Sequence, residues 1–410
     1  MYNARAVAIA LPVALLAACV HTPLRHEKPA DQPLSLDATL QPYLATYELP
    51  ALAAAVVQDG RIIAAGAVGT RRAGDRIAVT LNDRFHIGSD TKAMTALLAA
   101  AFVEEGKLRW DSTVSEVFPE LAPKMDHGLR RVTLEQLLSH TSGMPSDNAT
   151  FEKLLNQSLT RDGNLDELRY WLVTQWSSQP LATKPGTTFA YSNMGYTMVG
   201  AMLERVSGRT WEELVQTRIF DPLGLQTAGF GPQASLGKID APLGHAVHDG
   251  KLKPMLAGPN GDNPLIIGPA GTVHLSVLDF ATWAGWNAGE GKRGPALVRA
   301  ESLRKLHTPV ISMPLRADAA PGTPSRGGYA LGWGELSFEW APQPFVFHGG
   351  SNEKNLAYIL LQPQRDFGMV LMTNVGGEKA DEALKALSRE LYERFGSSSP
   401  SKASTEQPLS

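Results

Sequence analysis

Strand-like segments near both ends of the chain enclose a long middle region in which helical patterns dominate. Two apolar runs between Ala51 and Thr70 flank the turn residues Asp59-Gly60, a pattern that predicts a β-hairpin. Towards the other end, three apolar runs are typical of strands: Phe345–Phe347, Leu356–Leu361 and Met369–Thr373. The middle, roughly Ala93 to Trp286, is mostly helix and loop. We therefore predict an α+β protein.

The chain is long and nearly neutral, which bounds the classes of function. It has 410 residues, of which 43% are hydrophobic, and a net charge of -3. That suffices for one large or two medium domains with a substantial core. No basic run and no phosphate-binding loop of the P-loop type is present, so we expect no nucleic-acid partner.

The first 19 residues have the pattern of a targeting segment. Arg5 supplies the positive charge, an apolar stretch follows, and Leu16-Ala17-Ala18-Cys19 is similar to a bacterial lipobox. This predicts a lipoprotein signal peptide with lipid attachment to Cys19, and a plain signal peptide is the alternative. Cys19 is the only cysteine, so the chain has no intrachain disulfide, thiol nucleophile or cysteine-type zinc site.

This N-terminus predicts an exported protein whose domain lies in the periplasm and whose lipid is inserted in the membrane. Val20 after the cysteine is similar to the pattern of outer-membrane lipoproteins, if the cell is Gram-negative. The Pro-rich segment 20–36 is interpreted as a flexible tether. Residues 37–396 are the predicted domain, and the Ser- and Pro-rich segment 397–410 is a predicted disordered tail.

A serine and a lysine lie at the start of a predicted helix. Gly88-Ser89-Asp90-Thr91-Lys92 precedes an apolar-periodic run from Ala93 to Glu105, and Gly106 is a typical stop. Ser89 with Asp90 is also compatible with ordinary helix capping. Lys92 is not, because a cation in the first turn opposes the helix dipole. Three residues after the serine, its amine can lie beside the hydroxyl and accept its proton if burial lowers its pKa.

Two further motifs hold candidate polar groups. Tyr191-Ser192-Asn193 lies between a turn and another predicted helix, and His348-Gly349-Gly350-Ser351 follows the predicted strand Phe345–Phe347. A phenol near a lysine can exchange protons with a reacting serine. Glycines at a strand end allow close approach of a ligand. Taken separately, each motif also has a purely structural interpretation. Asn193 would be a helix cap, Tyr191 a half-buried packing residue, and His348 a surface side chain beside a bend.

Together the three motifs resemble the signature of the serine β-lactamase and penicillin-binding-protein superfamily, in particular the branch of class C β-lactamases, D-alanyl-D-alanine carboxypeptidases and related esterases. The resemblance runs from about Leu40 to Phe395. Supporting segments are Thr133–Pro145, Gly268–Thr272 and Leu331–Gly334. It implies a β-lactamase/transpeptidase-like fold: an antiparallel sheet shared by the N- and C-terminal strands and flanked by helices, with an α-rich insertion and the site between the two parts.

The resemblance also implies roles for individual residues. Ser89 would be the acylated nucleophile and Lys92 its partner, with Tyr191 as proton shuttle. Asn193 would orient Lys92 or the substrate amide. The backbone N–H groups of Ser89 and Ser351 would form the oxyanion hole, where loss of one donor typically costs about 100- to 1,000-fold in turnover.

One motif departs from the β-lactamases, which usually carry Lys-Thr-Gly where this chain has His348-Gly349-Gly350. We expect these residues to bind substrate, but a histidine, with a reference pKa of about 6.5, is mostly neutral at pH 7 and is a poor partner for a penicillin carboxylate. We therefore expect hydrolysis of an ester or a D-amino-acid amide or peptide, with peptidoglycan-derived compounds among the candidate acyl substrates. The alternatives are a true β-lactamase and a catalytically silent binding protein of the cell envelope.

Other chemistry is less well supported by the sequence. His245 and His248 are three residues apart, but the neighbouring glycines predict a loop, and no zinc motif accompanies them. We predict no metal and no cofactor. Ser89 lacks a G-x-S-x-G context, which argues against an α/β-hydrolase fold.

Overall fold

The computed structural model describes residues 32–258, 261–313 and 327–396. The predicted signal peptide 1–19 with Cys19, the tail 397–410 and most of the tether lie outside the described residues. The end of the tether was predicted wrongly, because Leu34 and Ser35 pair with a strand of the main sheet and Leu36 is buried in the core. The folded part therefore begins before residue 37.

In the described part of the chain, the strands form a main sheet and two smaller sheets. The strands are β1 (Leu34–Ser35), β2 (Ala51–Gln58), β3 (Arg61–Gly69), β4 (Arg84–His86), β5 (Gly229–Phe230), β6 (Gly244–His248), β7 (Lys251–Met255), β8 (Val273–Ser276), β9 (Ile311–Met313), β10 (Gly327–Tyr329), β11 (Gly334–Leu336), β12 (Phe345–Ser351), β13 (Leu356–Gln362) and β14 (Phe367–Thr373). The two smaller sheets are β4-β8-β5 and β6-β7.

The main sheet joins the two ends of the chain, as the sequence predicts. Its strand order is β1-β3-β2-β14-β13-β12-β11-β10-β9, and every pairing is antiparallel except that of β1 with β3. The predicted hairpin is β2–β3, and both its turn residues have positive φ, 52° at Asp59 and 71° at Gly60. That is the geometry of the tight turn that matches the twist of the strands.

Helices cover both faces of the sheet and fill the region between β3 and β9. They are α1 (Asp37–Tyr47), α2 (Thr91–Glu104), α3 (Val114–Val117), α4 (Leu134–Leu138), α5 (Ala149–Ser158), α6 (Leu165–Trp176), α7 (Asn193–Ser207), α8 (Trp211–Val215), α9 (Asp221–Leu223), α10 (Gly268–Gly271), α11 (Val277–Ala288), α12 (Ala300–His307) and α13 (Glu378–Leu391).

Successive side chains along each strand point to opposite faces of the main sheet, so the sheet separates two hydrophobic cores. On one face, Leu384, Leu387 and Leu391 of α13 follow helical spacing and pack with α1 over the sheet. On the other face, α11 and the helical region form the larger core. Helix α2 is central to that core and almost entirely buried, because its sequence is apolar on all sides. This position fixes the residues at its N-terminus between the sheet and the helical region.

The histidines at 245 and 248 lie in strand β6 and not in the predicted loop. His245 is buried and His248 is exposed, as expected for positions three apart on a strand. Within the described ranges, no group of three or more His, Cys, Asp or Glu residues is arranged to hold a metal ion. A search of the same ranges finds no helix with the length and hydrophobicity to cross a membrane.

Candidate active site

Ser89 lies in a short 3₁₀ turn, Gly88–Asp90, that connects β4 to α2. It is half-buried, and it is not the helix cap, since the cap position is Asp90 and no side chain of the described residues caps this end. The turn leads directly into the first turn of α2. Lys92 therefore lies on the same side as Ser89, and its Nζ is 3.0 Å from Ser89 Oγ.

The Lys92 amine is completely buried and has three polar neighbours. Its Nζ donates to Asn193 Oδ1 at 2.7 Å and to the Ala270 carbonyl at 2.7 Å, and Ser89 Oγ is the third neighbour. Burial lowers the pKa of Lys92 to about 7, although the charges of Asp147 and Asp90 act in the opposite direction. A neutral amine has two hydrogens and one lone pair. Two carbonyl acceptors take the hydrogens, which leaves the lone pair for the Ser89 hydroxyl.

Asn193 begins α7, where the helix cap is Ser192 and not Asn193, since the Ser192 hydroxyl accepts the Gly195 N–H. The orientation of the Asn193 side-chain amide is fixed by Asp147. The Asp147 carboxylate accepts hydrogen bonds from Asn193 Nδ2 at 2.5 Å and from the Asn193 backbone N–H at 3.2 Å. The amide nitrogen therefore faces Asp147 and the amide oxygen faces Lys92. Asp147 was not predicted from the sequence, because nothing near it marks the contact.

Tyr191 lies over the amine, with its ring centroid 4.8 Å from Lys92 Nζ. Burial raises the pKa of Tyr191 above its usual range, and a hydrogen bond with Ser89 offsets this only in part. The phenol therefore keeps its proton at neutral pH. In this state Tyr191 can give a proton, whereas Lys92 is the group able to take one.

The ring of His140 packs against the ring of Tyr191. His140 was not identified as a site residue from the sequence. The two ring centroids are 4.2 Å apart, and His140 Nδ1 accepts the backbone N–H of Ser192 at 3.1 Å. His140 has a positive φ of 57° and is buried. Burial lowers its pKa well below the usual range, so the ring is neutral. His140 lies in the segment 133–145, which was interpreted from the sequence only as a marker of the fold.

Glycines bring the end of β12 against the turn that holds Ser89. A Cβ atom on Gly350 would lie 1.9 Å from the Ile87 carbonyl oxygen and 2.6 Å from Ser89 N. A Cβ atom on Gly88, where φ is +50°, would lie 2.4 Å from Ser351 N. Only glycine permits this approach. As a result, the backbone amides of Ser89 and Ser351 are neighbours although they are far apart in sequence.

His348 is not a surface residue, because its side chain is completely buried. Its Nδ1 donates to the Gly349 carbonyl at 2.8 Å, and its Nε2 accepts from the Tyr329 hydroxyl at 3.0 Å. Burial lowers the pKa of His348 to about 3, and Lys92 contributes in the same direction. The prediction of a neutral histidine agrees with this. The predicted contact of its side chain with substrate stays a prediction.

Asp90 is a buried acid beside these groups. Neither of its carboxylate oxygens has a hydrogen-bond partner within the described part of the chain, and Oδ1 lies 3.5 Å from His348 Nδ1. Burial raises its pKa well above the usual range, although Lys92 acts in the opposite direction.

Fold and motifs together define a protein of the β-lactamase/transpeptidase fold, with the serine, lysine, tyrosine and asparagine of the motifs brought together at one place. The sequence profile of the family described as Beta-lactamase matches residues 36–393, so the chain belongs to this family. The resemblance inferred from the three motifs and the predicted fold are thereby confirmed.

Known proteins of related sequence and structure include enzymes and penicillin-binding proteins. The chain is 23% identical over 366 residues to protein flp of Staphylococcus aureus, which is 88% of this chain and 66% of that protein. The chain thus spans just under two thirds of that relative. The structure of the octameric penicillin-binding protein homologue from Pyrococcus abyssi is similar, with a TM-score of 0.68, 26% identity, and coverage of 85% of this chain and 76% of that one. The hydrolase EstCE1 shares the fold, with a TM-score of 0.68, 19% identity, and coverage of 85% and 96%.

Proposed function

We propose that this protein is a serine hydrolase that forms an acyl-enzyme on Ser89 from an ester or from a D-amino-acid amide or peptide. The observation that carries the proposal is the environment of Lys92. Its amine is buried, has a lowered pKa, and is 3.0 Å from Ser89 Oγ while two carbonyl oxygens accept its hydrogens. A charged lysine held only for structure would be expected to pair directly with a carboxylate, because a buried charge without such a partner is costly.

The acylation step follows from the protonation states. Neutral Lys92 takes the Ser89 proton as Oγ bonds to the substrate carbonyl carbon. The N–H groups of Ser89 and Ser351 stabilise the negative charge on the carbonyl oxygen. As the bond to the leaving group breaks, the Tyr191 phenol protonates that group and is reprotonated by the Lys92 ammonium. In deacylation, water attacks the acyl carbon, gives its proton to Lys92, and Ser89 leaves with a proton returned through the same pair.

The substrate preference rests on position 348. A neutral, buried His348 supplies no positive charge for a carboxylate, which is the group that a penicillin would present there. We therefore place esters and neutral D-amino-acid amides ahead of β-lactams. The activity named for EstCE1, a hydrolase with promiscuous acyltransferase activity, is compatible with that order.

Intact-mass spectrometry with a fluorophosphonate tests the nucleophile. We expect one adduct on the folded protein and none on Ser89→Ala. Folded protein that never reacts would refute the hydrolase proposal and favour a silent binding protein. Turnover of p-nitrophenyl butyrate, D-alanine p-nitroanilide and benzylpenicillin then ranks the substrates. Hydrolysis of benzylpenicillin at a higher kcat/KM than either of the others would make the protein a β-lactamase.

We also propose export and lipid anchoring through Cys19 in the cell envelope. Support comes from the sequence of residues 16–19 alone. Metabolic labelling with an alkyne fatty acid should mark the wild-type protein and not Cys19→Ser. Equal release of both proteins from membranes by high salt, with no label on either, would contradict the anchor.

A further inference from the structure

Asp262 is a buried carboxylate in the loop between β7 and α10. One of its oxygens, Oδ1, has three neighbours: Asn352 Nδ2 at 2.7 Å, the Asn263 backbone N–H at 2.7 Å and His86 Nε2 at 3.0 Å. Burial opposes its ionisation, but His86 and the two hydrogen bonds outweigh burial, and the pKa of Asp262 is lower than usual. The carboxylate is therefore ionised at neutral pH.

Asp262 has two connections, which we call arms. The first arm runs through His86 to the turn that holds Ser89. His86 is completely buried at the end of β4, and its Nδ1 accepts the Gly88 N–H at 3.0 Å. Because Nδ1 accepts a hydrogen bond, the ring hydrogen lies on Nε2, which faces Asp262. Asp262 Oδ1 lies 3.0 Å from His86 Nε2 without the geometry of a hydrogen bond, and the ring holds the Ile87–Gly88 peptide, one peptide before the Ser89 amide.

The second arm runs through Asn352 to the end of β12. Asn352 is buried directly after Ser351, and its side chain is tied to Asp262 by Nδ2 and to Asn355 Nδ2 by its own Oδ1 at 3.0 Å. The Ser351 hydroxyl donates to the Asn355 carbonyl at 2.8 Å. This arm therefore holds the backbone on which the Ser351 amide lies.

We infer that Asp262 is a positioning residue for the oxyanion hole, holding the Ser89 amide through His86 and the Ser351 amide through Asn352. The inference rests on the proposed function. Two N–H donors from separate segments stabilise an oxyanion only if their spacing is held, and a displacement of about 1 Å can cost about 100-fold in rate. A single carboxylate oxygen that joins both segments supplies that constraint.

The test is a set of variants of the full-length protein in detergent. Asp262→Ala removes both arms, Asn352→Ala removes one, and Asp262→Asn keeps an acceptor oxygen in place. The control is Asp83→Ala, which removes a buried aspartate that also ties loops together, through Arg71 and the Thr80 N–H, near the same strand. Measurements are kcat and KM for a p-nitrophenyl ester, inhibition by phenylboronic acid, and Tm. The boronate forms a tetrahedral adduct with Ser89, so its affinity reports on the oxyanion hole separately from folding.

For Asp262→Ala we expect kcat to fall about 100-fold with KM within about twofold, and boronate affinity to fall in parallel. Asn352→Ala should lose about tenfold, Asp262→Asn should recover most of the loss, and Asp83→Ala should lose Tm with kcat within about twofold. Unchanged kcat and boronate affinity in Asp262→Ala would overturn the inference. If that variant does not fold, unchanged values in Asn352→Ala would overturn it equally. A wild-type protein without turnover or labelling refutes the proposed function, and the inference with it.

Discussion

Replacing Gly350 by alanine tests the contact between β12 and the Ser89 turn. The added Cβ would lie 1.9 Å from the Ile87 carbonyl oxygen, whereas ordinary contacts begin at 3.4 Å, so the shortfall is 3.4 − 1.9 = 1.5 Å. It would also lie 2.6 Å from Ser89 N and 2.8 Å from Asp90 N. All three are backbone atoms, so no side-chain rotation can relieve the overlap. Strand and turn must separate.

The size of the effect follows from that separation. A displacement of about 1 Å at a catalytic group can cost about 100-fold, so a movement of this size should lower kcat/KM by about 100-fold or more, which is about 3 kcal/mol of transition-state stabilisation. Overpacking should lower the free energy of unfolding by about 1–3 kcal/mol. The assay is turnover of a p-nitrophenyl ester beside urea unfolding.

The matched control is Gly285→Ala in α11, where the nearest atom to the new Cβ would be 3.8 Å away. We expect this variant to keep wild-type activity and to lose no stability, because alanine is favoured over glycine in a helix. If Gly350→Ala retained kcat/KM within about threefold of wild type, the strand and turn would not form a rigid pair, and the reasoning would be refuted.

Three other predictions concern the groups around the amine. Because the pKa of Lys92 is about 7 and the neutral amine is the base, fluorophosphonate labelling should rise with pH, with a midpoint at about pH 7, and level off above about pH 8; a flat profile between pH 5 and 9 would contradict this. The charge of Asp147 raises the pKa of Lys92, so Asp147→Asn should move that rise to lower pH, and a shift to higher pH would reverse the assigned sign. His140→Phe keeps a ring beneath Tyr191 but leaves the buried Ser192 N–H without its acceptor, which should cost about 1–3 kcal/mol in urea unfolding.

Much of the fold follows from local patterns in the sequence. The hairpin around Asp59-Gly60 and helix α2 have strong periodicity and turn residues, so their positions were predicted to within a few residues. The boundary at residue 37 was wrong because burial of Leu36 and pairing of Leu34 depend on the distant edge of the sheet. The strand at His245 was missed for a related reason, since its partner β7 has an exposed, charged sequence without alternation.

The candidate site shows a similar division. Ser89, Lys92, Tyr191 and Asn193 are marked by short motifs, and the structure brings them into contact. Residues that act through tertiary contacts have no such motif. Asp147 orients an amide 46 positions away in sequence, and a long-range hydrogen bond of this kind leaves no periodicity or spacing that a single sequence could show.

Position 348 shows why the charge state of a residue also depends on the fold. As an exposed side chain, histidine would titrate at about 6.5 and would add its own limb to a pH profile. In the structure it is buried between Tyr329 and the Gly349 carbonyl, near Lys92, and its pKa is lowered to about 3. Its folded-state pKa lies below the ordinary value, so the ring stays neutral throughout the range in which Lys92 titrates. A rate that changes between pH 6 and 8 therefore reports on Lys92 and not on His348, and His348→Gln should leave the midpoint of that change within about half a pH unit of wild type.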